Sequence, residues 1–185
     1  MRAEAPTLPL DLGPLHYYVR RTTEDAARYC ALGEGLRLEI GGPSLELLRE
    51  LLGEKRRHAI ERVFRALGVM HPRSDLRSLH DAITGDDAER RGAAREILES
   101  LIPSALRIPV LSALAPSSEP SPYRNSEELF TELLLDPSDS LRCIAAHHVA
   151  ERHLVALRSE LTRLRPYASS FVGHAFDQAI ERLDA

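Results

Sequence analysis

The sequence predicts an all-α chain whose helices pair and repeat as an α-solenoid. Three observations lead there. Leu and Ala dominate the apolar residues and Trp is absent, and Ala, Leu, Arg and Glu are the strongest helix formers. Apolar residues recur three and four apart in segment after segment, the spacing that gathers them on one face of a helix. Three segments fall into register as copies of one unit, the mark of a repeat architecture.

The elements follow in order. Residues 1–14 read as a flexible leader: the stretch "MRAEAPTLPLDLG" has one Arg and no continuous apolar run, so it is not a secretory signal. A first helix is expected from about Leu15 to Leu32, stopped by Gly33 and Gly35. Tyr17 and Tyr18 suit either a partner contact or the core, and the core is the expectation, since a first helix capping a solenoid needs core aromatics. "LRLEI", Leu36 to Ile40, alternates apolar and polar residues but is too short and isolated to build a sheet. Gly41-Gly42 reads as a turn before the next helix. Ser44 is a plausible N-cap, and Leu47, Leu48, Leu51 and Leu52 begin a stripe that resumes at Ile60, Val63, Phe64 and Leu67. Gly53 is expected to bend or split this helix, and Gly68 to Pro72 to end it.

Ser74 or Asp75 can cap a short helix holding Leu76, Leu79 and Ile83, followed by a turn at Gly85-Asp86-Asp87. A helix from about Ala88 to Leu101 stops at Pro103. "SALRIPVLSAL" predicts a shorter one, kinked at Pro109 or starting there, because proline inside a helix loses a hydrogen bond and clashes one turn back. A Pro/Ser-rich loop follows at about 115–125. Ser126 opens a helix to about Leu135, Asp136-Pro137 breaks it, and three more helices complete the chain.

The repeat register aligns "DDAERRGAAREILESL", "DPSDSLRCIAAHHVAERHL" and "YASSFVGHAFDQAIERL". Ala94, Ala145 and Phe176 coincide. So do Ile97, His148 and Ala179, then Leu98, Val149 and Ile180. After the first two copies comes a second helix, so the unit is a helix pair. Stacked pairs bury one another's apolar faces. In the middle copy Leu141, Ala145 and Val149 are the packed positions and His148 lies at the edge.

That register also decides how to read the Cys and His residues between Cys143 and His153. Successive helix residues are 100° apart, so two ligands on one helix need a spacing of three or four. His147 and His148 diverge, and a helix end is expected before His153. Cys143 and His147 alone have workable spacing, and two ligands make no zinc site. Ordinary surface and edge histidines are the expectation, with no metal.

Composition excludes several function classes. The chain of 185 residues reads as one domain over 15–185, with a formal charge of −4 that offers no bulk attraction to nucleic acid or an anionic membrane. No apolar run is long enough to span a bilayer, so no membrane insertion is expected. Cys30 and Cys143 lie far apart and form no CxxC, which favours a reducing, cytoplasmic setting. There is no HExxH, GxSxG, GxGxxG or GxxxxGK[ST]. "RSDLRSLHDA" offers Ser, His and Asp, yet on one short helix they cannot line up as nucleophile, base and orienter, and His80 and Asp81 should face different ways. No catalysis and no cofactor are expected.

"DPSDSLRCIAA" resembles the start of a HEAT repeat, through Asp136, Pro137, Leu141, Arg142, Ala145 and Ala146. In the third copy Gly173 stands where Arg142 stands. Residues 59–114 are similar to the soluble HEAT-containing region of bacterial membrane proteins related to ATP/ADP translocases. Leu67, Gly68, Pro72, Gly85, Asp86, Arg91, Ala94 and Pro103 carry that likeness. The resemblance implies a right-handed HEAT-like superhelix acting as a non-catalytic protein-interaction or scaffold module. It also raises a regulatory module that serves a nucleotide-transporter-like membrane protein. A nucleic-acid enzyme of the DNA glycosylase type on such a scaffold would want a basic, aromatic groove, and the net charge and lack of Trp count against it. In a solenoid the second helices line the groove. Arg158, Thr162 and Arg165 share one outward stripe there and are the candidate contacts to a protein partner of acidic character.

Overall fold

The computed structural model describes residues 11–115 and 122–185, and among them it is all-helical, with no strand. The helices are α1 (Gly13–Arg37), α2 (Pro43–Met70), α3 (Leu76–Thr84), α4 (Ala88–Leu101), α5 (Ser104–Leu114), α6 (Ser126–Leu134), α7 (Asp139–Glu151), α8 (Arg158–Leu164) and α9 (Ser170–Leu183). Short 3-10 turns, Val155–Leu157 and Arg165–Tyr167, flank α8. The leader expected over residues 1–14 lies outside the described residues up to residue 10, and α1 already begins at Gly13. The middle of the expected Pro/Ser loop, residues 116–121, is likewise outside them.

The chain packs as two compact units. The first holds residues 11–27 and 57–115, the second 28–56 and 122–185. In the first, Val19 and Ala26 of α1 and Ala59, Val63, Phe64 and Leu67 of α2 meet Leu76, Leu98, Leu106 and Val110 of the helices that follow. α3 packs on α4, and α4 on α5. In the second, Leu32 and Leu36 of α1 and Leu45, Leu48 and Leu52 of α2 join α6 to α9. There α7 packs on α6 and α9, and α8 on α9.

The helix starts follow from their caps. Asp75 caps α3, accepting from Ser78 N at 3.0 Å, and Asp87 caps α4, accepting from Glu89 N and Arg90 N. Asn125, not Ser126, caps α6: its Oδ1 accepts from Glu128 N at 2.8 Å while Glu128 Oε2 accepts from Arg124 N, two ties between cap and first turn. α2 starts at Pro43 rather than after Ser44, because proline is pre-set for the first helical position and has no N–H to waste there.

Three expectations are corrected. Gly33 and Gly35 do not stop α1, which runs on to Arg37. A Cβ on Gly35 would lie 2.8 Å from Leu129 Cδ1 and 3.1 Å from Tyr123 Cδ2, so this glycine admits α6 and its leading segment rather than capping a helix. α2 passes Gly53 unbroken. Of the two places expected for Pro109, it takes the one inside α5; the carbonyl it leaves without a partner belongs to Ala105, which is exposed to solvent. Tyr17 and Tyr18 are exposed, at 62% and 42%, because the face of α1 that packs carries Val19, Thr22, Thr23 and Ala26.

α7 ends on His153, which has φ 51°. His153 N donates to Ala150 O and Leu154 N to Val149 O, which is a Schellman turn with histidine in the place glycine usually takes. The left-handed region strains a side chain, so His153→Gly should stabilise the protein by about 1 kcal/mol in a urea melt.

The repeat register holds at its central column: Ala94, Ala145 and Phe176 are all buried. The next column, expected at the edge, is uneven: Ile97 is half-exposed while His148 and Ala179 are buried. α4 buries only Ala94 and Leu98, so it is a one-sided helix. α7 buries Leu141, Cys143, Ala145, Ala146, His148, Val149 and Ala150, nearly all round. Ala145→Leu should therefore overpack the α7–α9 contact and cost about 1–3 kcal/mol. His147→Ala, at an exposed position, should stay within roughly 0.5 kcal/mol in the same thermal melt.

Candidate functional site

The predicted stripe on α8 is built against α9. Arg158, exposed at the start of α8, donates from Nε and Nη2 to the two oxygens of Asp184, the second at 2.7 Å. Arg165 does the same to Asp177, at 2.7 and 2.8 Å. Such two-pronged pairs match the planar guanidinium to a carboxylate. Hydrogen bonds from the two arginines, then their charge, hold the Asp184 and Asp177 carboxyls below the usual carboxylate range. Thr162 lies between them, its Oγ1 donating back to Arg158 O at 2.9 Å. Arg158 and Thr162 lie on α8 and Arg165 opens the 3-10 turn after it, and the two arginines already hold acidic groups of the same chain.

Gly173 gains a physical reason here. A Cβ on it would come 2.8 Å from Arg165 Nη1, so the missing side chain is what lets the guanidinium lie across α9 to reach Asp177. In the preceding copy the equivalent Arg142 instead donates to Leu134 O at 3.0 Å and lies over the Phe176 ring, 5.3 Å from its centre. The same corner exposes Tyr167 and Phe171, at 83% and 67%.

The histidine-rich stretch separates into three environments. His147 faces solvent, His153 ends α7, and His148 is fully buried rather than at an edge. Its ring stacks on Phe130 of α6 with centroids 4.7 Å apart. The sequence misplaced it because a single-copy stripe assumes one buried side, whereas α7 has several. Burial, then the Asp139 charge, raises the Cys143 thiol above its ordinary value. Cys143 is buried while His147 is exposed, so the pair shares no open face. Among the described residues no group of three or more His, Cys, Asp or Glu is placed to hold a metal ion.

In the first unit a surface cleft of about 660 Å³ lies between α2 and α3. Phe64, Gly68, Leu76, Arg77 and His80 are in its walls. His80 meets Phe64 edge-on at 5.0 Å, and its Nδ1 is 3.2 Å from Asp81 Oδ1, so these neighbours do touch, contrary to the sequence expectation. Ser78 Oγ donates to Asp75 at 2.7 Å rather than to His80, so the Ser, His and Asp of this helix form no relay.

Among the described residues no helix is long and apolar enough to cross a membrane. No family model, curated protein or solved structure matches this chain.

Proposed function

We propose that the chain is a non-catalytic protein-interaction module, a right-handed solenoid of HEAT-like helix pairs that offers its α8–α9 face to a partner. The carrying observation is the packing of α7 on α9, with α8 connecting them and the equivalent residues Ala145 and Phe176 both buried. That is how the first helices of successive pairs stack in a solenoid. The face itself combines held charges with exposed aromatics. Aromatic residues and Arg are the types that anchor protein interfaces. A guanidinium has five donors, of which the aspartate pair occupies two, so Arg158 and Arg165 can add an acidic group of a partner without giving up Asp184 or Asp177.

Photo-crosslinking tests this without disturbing the core. A crosslinking amino acid is placed at Thr162 or Tyr167, and, as the control, at Ile108 of the first unit, which is equally open to solvent. In native cell extract, crosslinks to one discrete protein from positions 162 and 167, and not from 108, support the reading. Equal labelling at all three positions, or none at 162 and 167, sinks it.

A further inference from the structure

Four polar side chains are buried in the described residues: Thr22, Thr23, Asp136 and His148. Three are satisfied. Thr22 and Thr23 donate to carbonyls of their own helix, and Asp136 accepts from Arg28 and from Ser138 N. His148 is not: neither ring nitrogen has a hydrogen-bond partner among the described residues. A neutral imidazole always carries one N–H, and burying it unpaired is unfavourable. Leu or Phe would pack against Phe130 without that cost.

What covers the ring is the turn between α1 and α2. A Cβ on Gly41 would lie 2.6 Å from His148 Cε1, and one on Gly42 would lie 2.1 Å from Glu151 Oε1. Two adjacent glycines therefore rest directly on the imidazole and on the carboxylate one turn further along α7. The turn itself is lightly held. Leu38 and Ile40 are both 78% exposed, so lifting it uncovers little apolar surface. Its side-chain ties are Arg49 Nη2 to Leu36 O and Glu39 O, and Ser126 Oγ to Glu39 Oε1, beside local backbone bonds from Leu38 N to Gly35 O, Glu39 N to Leu36 O and Leu45 N to Gly42 O.

We propose that His148 is a proton-operated latch: a second proton on the ring releases the 38–42 turn from α7 while the rest of the unit stays folded. An imidazolium has two N–H donors and a charge, and the closed site can serve neither. Glu151 Oε2 is 3.9 Å from Nδ1, too far to accept. The charged groups around the ring are Glu151 and Arg152 on α7, Glu39 on the turn and Arg49 on α2, while α6 presents the Phe130 ring. The two carboxylates favour the second proton and the two arginines oppose it. Lifting the turn admits water to the ring and frees Glu151 to close on it.

Burial, the largest influence, holds the closed-state imidazole below the ordinary histidine value. The closed form therefore binds fewer protons than the open one. Closure is complete above the open-state value of about 6.5 and is lost as pH falls toward the closed-state value. In that window one proton is taken up per opening, so opening rises roughly tenfold per pH unit.

Hydrogen-exchange mass spectrometry between pH 7.5 and 5, corrected for the intrinsic exchange rate, reads this directly. The hydrogen-bonded amides of Leu38, Glu39 and Leu45 should lose protection by roughly tenfold per pH unit below about 6.5, while those of α7 and α9 keep theirs. His148→Met should abolish the pH dependence. Gly41→Ala, whose Cβ would also press on Leu45 at 3.0 Å, should wedge the turn off the ring: fast exchange at pH 7.5 and a flat profile below it. The latch is overturned if His148→Met keeps the wild-type slope, if Gly41→Ala does, or if α7 and α9 lose protection in step with the turn, which would be plain acid unfolding.

Discussion

Replacing Arg28 with Ala is expected to destabilise the second unit by about 3–5 kcal/mol, the range for breaking a buried ion pair from one side. Arg28 reaches from α1 to Asp136, whose side chain is fully shielded from solvent at the break between α6 and α7. Asp136 Oδ1 also accepts from Ser138 N at 2.7 Å, which shapes the turn into α7. Without the guanidinium, the carboxylate keeps the Ser138 N–H and loses its cationic partner. A urea melt measures the loss. Asp136→Asn added to Arg28→Ala should recover part of it, because the stranded charge is then gone. A loss under about 1 kcal/mol for the single variant, as for exposed pairs, would mean that Asp136 is solvated in solution.

Phe176→Ala is expected to cost about 3–5 kcal/mol. Phe176 is fully buried on α9 and takes the Arg142 guanidinium on its ring face. The truncation removes an aromatic from the core that α7 and α9 share and leaves a cavity there. Phe171, five residues earlier, makes the internal control: it is exposed, and Phe171→Ala should change the melting free energy by roughly 0.5 kcal/mol or less. Equal effects at the two positions would show that the α9 face is assigned backwards.

Much of the local structure was legible from short-range chemistry. Ser74 or Asp75 was readable as the start of α3 because a cap acts within three residues of itself, and α4 has the bounds its sequence suggests. The α8 stripe was readable because a spacing of four and three puts Arg158, Thr162 and Arg165 on one side of any helix. Their aspartate partners were not, since Asp184 and Asp177 lie 26 and 12 residues away and no local rule selects them.

The sequence by itself determined that this protein is helical, where most of its helices begin, and which small or apolar residue centres each of the three aligned segments. Those properties are set by propensity, capping and periodicity, which act within one or two turns of the chain. Tertiary structure alone decided what the glycines and histidines do. Gly35 and Gly173 look locally like stops or gaps, but they exist to admit Leu129 and the Arg165 guanidinium. His147, His148 and His153 carry the same ring to solvent, to a dry contact with Phe130, and to a left-handed helix end. The reason is that burial depends on how many neighbours a helix has. α7 is covered on more sides than its own amphipathic pattern could announce, so its histidine is sealed beneath a turn that lies more than a hundred residues earlier in the chain.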